Sequence, residues 1–279
     1  EMQRRRAELD EQFAIRTAED VAKELGEMKG VLMKAGQLIS FIFEALPDEA
    51  QAALATLQAD AAPMAPSLAA GVVEADLGSP PERVFLDWTD LPVAAASIGQ
   101  VHRAITPDGR DVAVKVQYPG VHEAIETDLD AAEAMYAMFS MMMLKGLDAK
   151  GLVDELRARM REELDYRLEA RNLAEFADLF AGHPWVRVPA LVPEYSTERL
   201  LTTEWIDGMT FDEFRSTASD STKQRAAEVI WRFAQHAIVR HGAFNGDPHP
   251  GNYKFHHDGS VTFLDYGLVK RWSPGEWES

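Results

Sequence analysis

The spacing of apolar side chains along the chain is helical at first. Between residues 17 and 46, apolar positions recur every three or four residues, which predicts one amphipathic helix that ends at Pro47. A second helix is predicted from about Asp48, followed by the linker-like stretch "ADAAPMAPS". A short helix over 67–77, closing at Gly78, completes this helical part of the chain.

The pattern then changes to alternation in "SIGQVHRAITPDGRDVAVKVQYPG", residues 97–120. Two short strands around a Pro-Asp-Gly turn predict a β-hairpin. In the second strand, Val112, Val114 and Val116 would face one side, and Lys115 would face the other.

Helical spacing returns over most of 121–181, and "ERLLTTEWIDG", residues 198–208, predicts a strand that runs into a turn. A helix from about Thr222 to His241 is followed by "FNGDPHPGNYKFHHDGSVTFLDYGLVK", which predicts a polar loop and a second hairpin. Strands, a long helix, another strand, a helix and a final hairpin in this order predict an α+β fold with two lobes.

Composition excludes several classes of function and of chemical site. The 279 residues are 46% hydrophobic, which is typical of a globular protein. With 28 basic and 46 acidic residues, the net charge of −18 argues against nucleic-acid binding. The absence of cysteine excludes disulfides, thiolate metal sites and cysteine nucleophiles. We expect a cytoplasmic protein without a signal peptide, and a fragment, because the chain begins with Glu and stops soon after its last motif.

Three polar side chains in the final loop and hairpin suggest phosphoryl transfer. Asp247 and Asn252 follow a predicted helix, and Asp265 ends the second strand of the hairpin, which would bring it back towards Asn252. One carboxylate and one amide oxygen suit Mg²⁺, which keeps waters and substrate phosphates as its other ligands. Asp247 would then act as a base or position the nucleophile. A polar turn with an exposed hairpin is the simpler interpretation, but the spacing to "LDYG" disfavours it.

A phosphate site also needs positive charge, and Lys115 is the one basic residue in "VAVK". The stretch "REELDYRLEARN" offers acids that could pair with it: Glu163, Asp165 and Glu169. Taken alone, these acids would more often form a solvated helix face. No G-x-G-x-x-G precedes Lys115 and no Walker A motif occurs; "VAAASIGQVH", residues 93–102, stands there instead.

These motifs together resemble the UbiB family of atypical protein-kinase-like proteins, the AarF/ADCK type. The most specific motif is K-x-G-Q at Lys34 and Gln37, and the E-x-D motif, "DPHPGN" and "LDYG" follow. An Ala-rich loop replaces the glycine-rich one and consists of Ala94, Ala95, Ala96 and Ser97. One departure is Asn245, where the family usually has His before the catalytic Asp.

The resemblance implies a bilobed kinase-like fold that binds ATP or ADP with Mg²⁺. It divides the chain into a helical extension at 1–64, an N-lobe at 65–204 and a partial, apparently truncated C-lobe at 205–279. In the extension, Lys34 and Gln37 would face the E-x-D motif.

The resemblance also assigns roles to single residues. Lys115 would contact the α- and β-phosphates and pair with Glu169, and Asp247 would be the catalytic Asp. Asn252 and Asp265 would hold Mg²⁺. The adenine would meet the backbone of Glu204, Trp205 and Ile206, and the Ala-rich loop would line the nucleotide.

In the cell, the resemblance implies ATPase or small-molecule kinase activity that supports ubiquinone or other isoprenoid-lipid metabolism. The expected partners are an adenine nucleotide and proteins of lipid biosynthesis or a membrane surface, where the protein would be peripheral. Two alternatives stay open. One is a phosphotransferase of the aminoglycoside/choline kinase type, which shares a "GDxHPGN"-like loop. The other is a nucleotide-sensing scaffold without catalysis.

Overall fold

The structure is a computed structural model that describes residues 64–272, apart from 97, 124, 128–129, 131–156 and 159. The helix predicted over 17–46, with Lys34 and Gln37, lies outside these residues, as does Ser97. The chain divides into two compact units, one formed by 1–65, 95–100 and 118–160, the other by 66–94, 101–117 and 161–279. This division does not follow the lobe boundaries predicted near 64 and 204, which stay a prediction.

Among the described residues, the predicted helices and strands occur in the predicted order, together with short elements that the sequence did not predict. The α-helices are α1 Pro66–Leu77, α2 Pro81–Val84, α3 Tyr166–Leu179, α4 Phe211–Thr217 and α5 Asp220–His241. The first six strands are β1 Asp87–Trp88, β2 Ala94–Ala96, β3 Gly99–Ile105, β4 Asp111–Gln117, β5 Val186–Arg187 and β6 Leu200–Glu204. The last four are β7 Ala243–Asn245, β8 Tyr253–Phe255, β9 Val261–Phe263 and β10 Val269–Arg271. Mixed helices and antiparallel sheets confirm the α+β class.

A five-stranded sheet carries Lys115. Its strand order is β1-β3-β4-β6, and β2 pairs with β3, so the Ala-rich segment predicted as a loop forms a short strand. The turn before β4 contains Gly109 at φ +84°, a left-handed conformation that favours glycine. Val112, Val114 and Val116 are buried, as the alternation predicted, which leaves Lys115 on the other face of β4.

Two small sheets position the predicted catalytic loop, residues 246–252, and the turn formed by Asp265, Tyr266 and Gly267, here called the DYG turn. Strands β8 and β9 form the predicted hairpin, β5 pairs in parallel with β9, and β10 pairs with β7. The segment 246–252 links β7 to β8, and the segment 264–268 links β9 to β10. Since β7 pairs with β10 and β8 pairs with β9, the two connecting segments lie side by side.

The core of the second unit lies beneath these segments and is rich in aromatic side chains. Phe233 from α5 stacks on Phe263 from β9 with 3.7 Å between ring centroids. Phe176 from α3 contacts Tyr266 of the DYG turn at 5.1 Å. Helix α5 ends where predicted, at Gly242 with φ +58°. Within the part of the chain that the structure describes, no helix has the length and apolar character needed to cross a membrane.

Candidate active site

Lys115 lies at the centre of a buried ion-pair cluster. Its Nζ is 2.9 Å from both carboxylate oxygens of Glu169 and 3.3 Å from Oδ2 of Asp265. The side chains of Lys115 and Glu169 are 13% and 5% exposed, so water screens this pair little. The structure therefore brings together three residues, the first and last of which are 150 positions apart in the sequence.

The E-x-D motif spans a break in the helix rather than one continuous helix. Residues 160–164 are helical, but Asp165 is extended, and its side chain accepts a hydrogen bond from the backbone N–H of Arg167 at 2.9 Å. Asp165 therefore caps α3. Glu163 lies before the break and Glu169 lies in the first turns of α3. The uninterrupted helical spacing gave no sign of this break.

Three carboxylates meet around Gly267 of the DYG turn. A Cβ atom at Gly267 would lie 3.3 Å from Oδ1 of Asp265, 3.3 Å from Oε1 of Glu163 and 3.6 Å from Oε2 of Glu169. The backbone N–H of Gly267 also donates to Oδ1 of Asp265 at 2.9 Å. The glycine leaves this space open to the carboxylate oxygens.

The cluster around Lys115 contains more carboxylates than cations. Burial raises the pKa of Glu169 to about 7; Lys115 opposes this rise and Asp265 adds to it. Burial alone would lower the pKa of Lys115, but Asp265 and Glu169 hold it well above its ordinary value. Lys115 therefore stays protonated beside three acids. The surplus negative charge favours uptake of a proton or of another cation.

Asn245 joins the catalytic loop to the DYG turn. Its side-chain Nδ2 donates to the backbone carbonyl of Asp265 at 2.8 Å, and its Oδ1 accepts from the backbone N–H of Asp247 at 3.3 Å. The carbonyl of Asp247 in turn accepts from Nδ2 of Asn252 at 3.3 Å. Both backbone polar groups of Asp247 are thus held by neighbouring amides, which fixes the main chain that carries its carboxylate.

A backbone hydrogen bond connects the segments that carry the two predicted metal ligands, Asn252 and Asp265. The backbone N–H of Leu264, which precedes Asp265, donates to the carbonyl of Asn252 at 2.9 Å. Among the described residues, no group of three His, Cys, Asp or Glu side chains is arranged to hold a metal ion. One carboxylate and one amide, beside surplus negative charge, fit Mg²⁺ bound together with phosphates rather than in a cage made by the protein.

In the segment predicted to contact adenine, two of the three backbone N–H groups already form other hydrogen bonds. The backbone N–H groups of Glu204 and Trp205 donate to the carbonyls of Ala190 and Asp111 at 2.8 and 3.0 Å. The N–H of Ile206 therefore remains the candidate donor to adenine. A cavity of about 470 Å³ is lined by Glu204, Trp205, Ile206, Phe180, His183 and others, but Lys115 and Asp265 do not line it. This cavity therefore lies outside the predicted phosphate site.

One polar residue of this region was missed by the sequence analysis. Asn172 is buried on α3, and its Nδ2 donates to the carbonyl of Tyr266 at 2.8 Å. A buried amide at helical spacing gives little signal in a single sequence. Its position three residues after Glu169 is the one hint that it shares a face with that carboxylate.

Comparison with known proteins identifies the family of this chain. Residues 56–277 match the ABC1 atypical kinase-like domain. The chain is 34% identical over 247 residues to the chloroplastic protein "Activity of BC1 complex kinase 1" of Arabidopsis thaliana, covering 85% of this chain and 35% of that protein. It is 34% identical over 252 residues to the mitochondrial atypical kinase COQ8 of Saccharomyces cerevisiae, covering 90% and 50%.

A solved structure has a similar fold. Rv3197 of Mycobacterium tuberculosis, determined in complex with erythromycin, is 37% identical, with a TM-score of 0.66 over 95% of this chain and 68% of that one. The chain spans half or less of the length of the two curated relatives named above. These similarities and the matched domain show that the chain belongs to the ABC1 family of atypical kinase-like proteins, the UbiB family of the AarF/ADCK type.

Proposed function

We propose that this protein binds an adenine nucleotide with Mg²⁺ and transfers its γ-phosphoryl group to a hydroxyl acceptor or to water. The observation that carries the proposal is the buried Lys115–Glu169 pair at 2.9 Å with Asp265 at 3.3 Å from the same ammonium. In kinases, phosphoryl transfer requires the Lys–Glu pair and the DFG-type Asp to be in place together.

Each residue of the cluster has a role in this proposal. Lys115 would hold the α- and β-phosphates, and Asp247 would accept the proton of the attacking hydroxyl. The hydroxyl oxygen forms a bond to the γ-phosphorus while the bond from that phosphorus to the β,γ-bridging oxygen breaks, which leaves ADP. Asp265 and Asn252 would hold Mg²⁺, which neutralises phosphate charge.

The charge imbalance around Gly267 favours the metal complex over the free nucleotide. Glu163, Glu169 and Asp265 surround one lysine, so an uncomplexed nucleotide would meet repulsion. We therefore expect affinity for ATP and ADP to depend on Mg²⁺.

Calorimetric titration of ATP and ADP, with and without Mg²⁺, tests the binding part. The chain should bind in the presence of Mg²⁺, and Asp265→Asn should lose that binding. Asp258→Asn is the matched control, because Asp258 lies at the tip of the β8–β9 hairpin and pairs with Arg187. A chain that is folded and binds no nucleotide would refute the proposal.

Turnover separates the proposed enzyme from the alternatives. Asp247→Asn should keep nucleotide binding and lose phosphate release. Binding without turnover in the unaltered chain would indicate a nucleotide-sensing scaffold. Phosphorylation of an aminoglycoside or of choline in an acceptor screen would indicate a phosphotransferase of the aminoglycoside/choline kinase type.

A role in ubiquinone or isoprenoid-lipid metabolism, at a membrane surface and with proteins of that metabolism, is proposed from the family alone. Stimulation of turnover by lipid vesicles would support this setting. Identical turnover with and without vesicles would count against it.

A further inference from the structure

We propose that Asn172 is a positioning residue for phosphoryl transfer, one that holds the DYG turn and the Lys115–Glu169 pair in a single arrangement. This inference rests on the proposed function for its kinetic consequences. Its structural consequence, the ordering of the DYG turn, can be measured in the absence of turnover.

The first contact lies in the core of the site. The side chain of Asn172 is 2% exposed, and its Nδ2 donates to the carbonyl of Tyr266 at 2.8 Å. Tyr266 directly follows Asp265, so this hydrogen bond fixes the peptide next to a proposed metal ligand. A buried carbonyl that loses its partner is costly, which makes the bond effective in holding the turn.

The second contact uses the other end of the same amide. Oδ1 of Asn172 accepts from Nη2 of Arg271 at 2.8 Å, and Arg271 also pairs with Glu175 on α3. Arg271 is the last residue of β10, the strand that leaves the DYG turn, and lies opposite Ala243 of β7. One amide therefore connects α3 to the DYG turn and to the strand that follows it.

The position of Asn172 on its helix links these contacts to Lys115. Glu169 and Asn172 are three residues apart on α3 and so lie on one face of the helix. Glu169 holds Lys115, and Asn172 holds Tyr266. A single helical turn thus sets the distance between the lysine and the DYG turn. Only a side chain that donates and accepts at once satisfies both Tyr266 and Arg271.

Asn172→Asp tests the inference with almost no change in shape, because it removes the donor to Tyr266 and keeps an acceptor for Arg271. In the nucleotide-free chain, we expect amide hydrogen exchange in 166–172 and in 264–271 to become faster by about tenfold or more. We also expect kcat to fall by about tenfold or more with a smaller change in KM, since the arrangement of the reacting groups is lost.

Two further variants test the second contact of Asn172 and the effect of a general loss of stability. Arg271→Met removes the partner of Oδ1 at a half-exposed position, so it should fold and show the same effects at about threefold or more. Val229→Ala cuts into the same buried core from α5; it should lower stability and speed exchange throughout the core without a selective rise in 264–271, while kcat stays unchanged.

Unchanged exchange in 264–271 for both Asn172→Asp and Arg271→Met overturns the inference, and so does an unchanged kcat in variants of an active chain. If the unaltered chain shows no turnover but exchange rises in both segments, the proposed function is wrong and the positioning contact stands.

Discussion

Replacing Glu169 with Gln should make the stability of the chain less dependent on pH. It should also raise that stability at neutral pH, contrary to the usual effect of removing an ion-paired carboxylate. The pKa of Glu169 in the folded chain is raised from 4.5 to about 7, mainly because the group is buried. The folded state therefore holds this proton more tightly than the unfolded state does. The stability that the proton contributes is fully present below pH 4.5 and is lost as the pH rises through 7.

The size of the loss follows from the difference between the two pKa values. At about 1.4 kcal/mol for each unit of pKa, it amounts to about 3 kcal/mol between pH 4.5 and pH 8. Gln resembles the protonated carboxyl group and does not titrate. The free energy of unfolding of Glu169→Gln, relative to the unaltered chain, should therefore rise by about 3 kcal/mol over this range.

Urea unfolding at several values from pH 5 to pH 8 measures this difference. Glu228→Gln is the matched control, because Glu228 is 58% exposed and pairs with Arg232 one turn along α5. Its difference from the unaltered chain should stay within about 0.5 kcal/mol. A difference for Glu169→Gln that stays flat, or that falls as the pH rises, would refute the reasoning. It would show that the pair with Lys115 outweighs the cost of burial.

Two smaller changes test the packing around the DYG turn. Among the described residues, the hydroxyl of Tyr266 is buried without a hydrogen-bond partner, so Tyr266→Phe should leave the free energy of unfolding unchanged or raise it by about 1–2 kcal/mol; a clear loss in thermal or urea unfolding would contradict this. Gly267→Ala would place a methyl group 3.3 Å from oxygens of Asp265 and Glu163, so calorimetry should show Mg²⁺-dependent nucleotide binding weakened by about tenfold or more. Unchanged affinity would mean that the carboxylates can move aside.

Local patterns were enough to predict strands β3, β4, β6, β8 and β9 and the turns of the two hairpins. Alternation places Lys115 opposite three buried valines because successive side chains in a strand point to opposite faces. The turn glycines Gly109 and Gly259 mark hairpins because both have positive φ, which other residues rarely adopt. The end of α5 at Gly242 follows from the same property.

The hydrophobic pattern does not specify helix caps or contacts between distant parts of the sequence. Helix α5 begins at Asp220 rather than near Thr222, because the hydroxyl of Ser219 accepts from the backbone N–H of Thr222. The break at Asp165 is set by its cap to α3, which competes with an otherwise continuous helical pattern. The contact between Asn172 and Tyr266 joins positions 94 residues apart, and no local rule specifies it.

The side-chain amide of Asn245 connects the predicted catalytic loop to the DYG turn, and an amide does not titrate. A histidine at this position would change its number of N–H donors near its ordinary pKa of about 6.5 and so would lose its acceptor in mild acid. The amide of Asn245 keeps one donor for Asp265 and one acceptor for Asp247 at every pH from 5 to 8. A change of pH in this range therefore leaves the hydrogen bonds between the predicted catalytic loop and the residue predicted to bind metal in place.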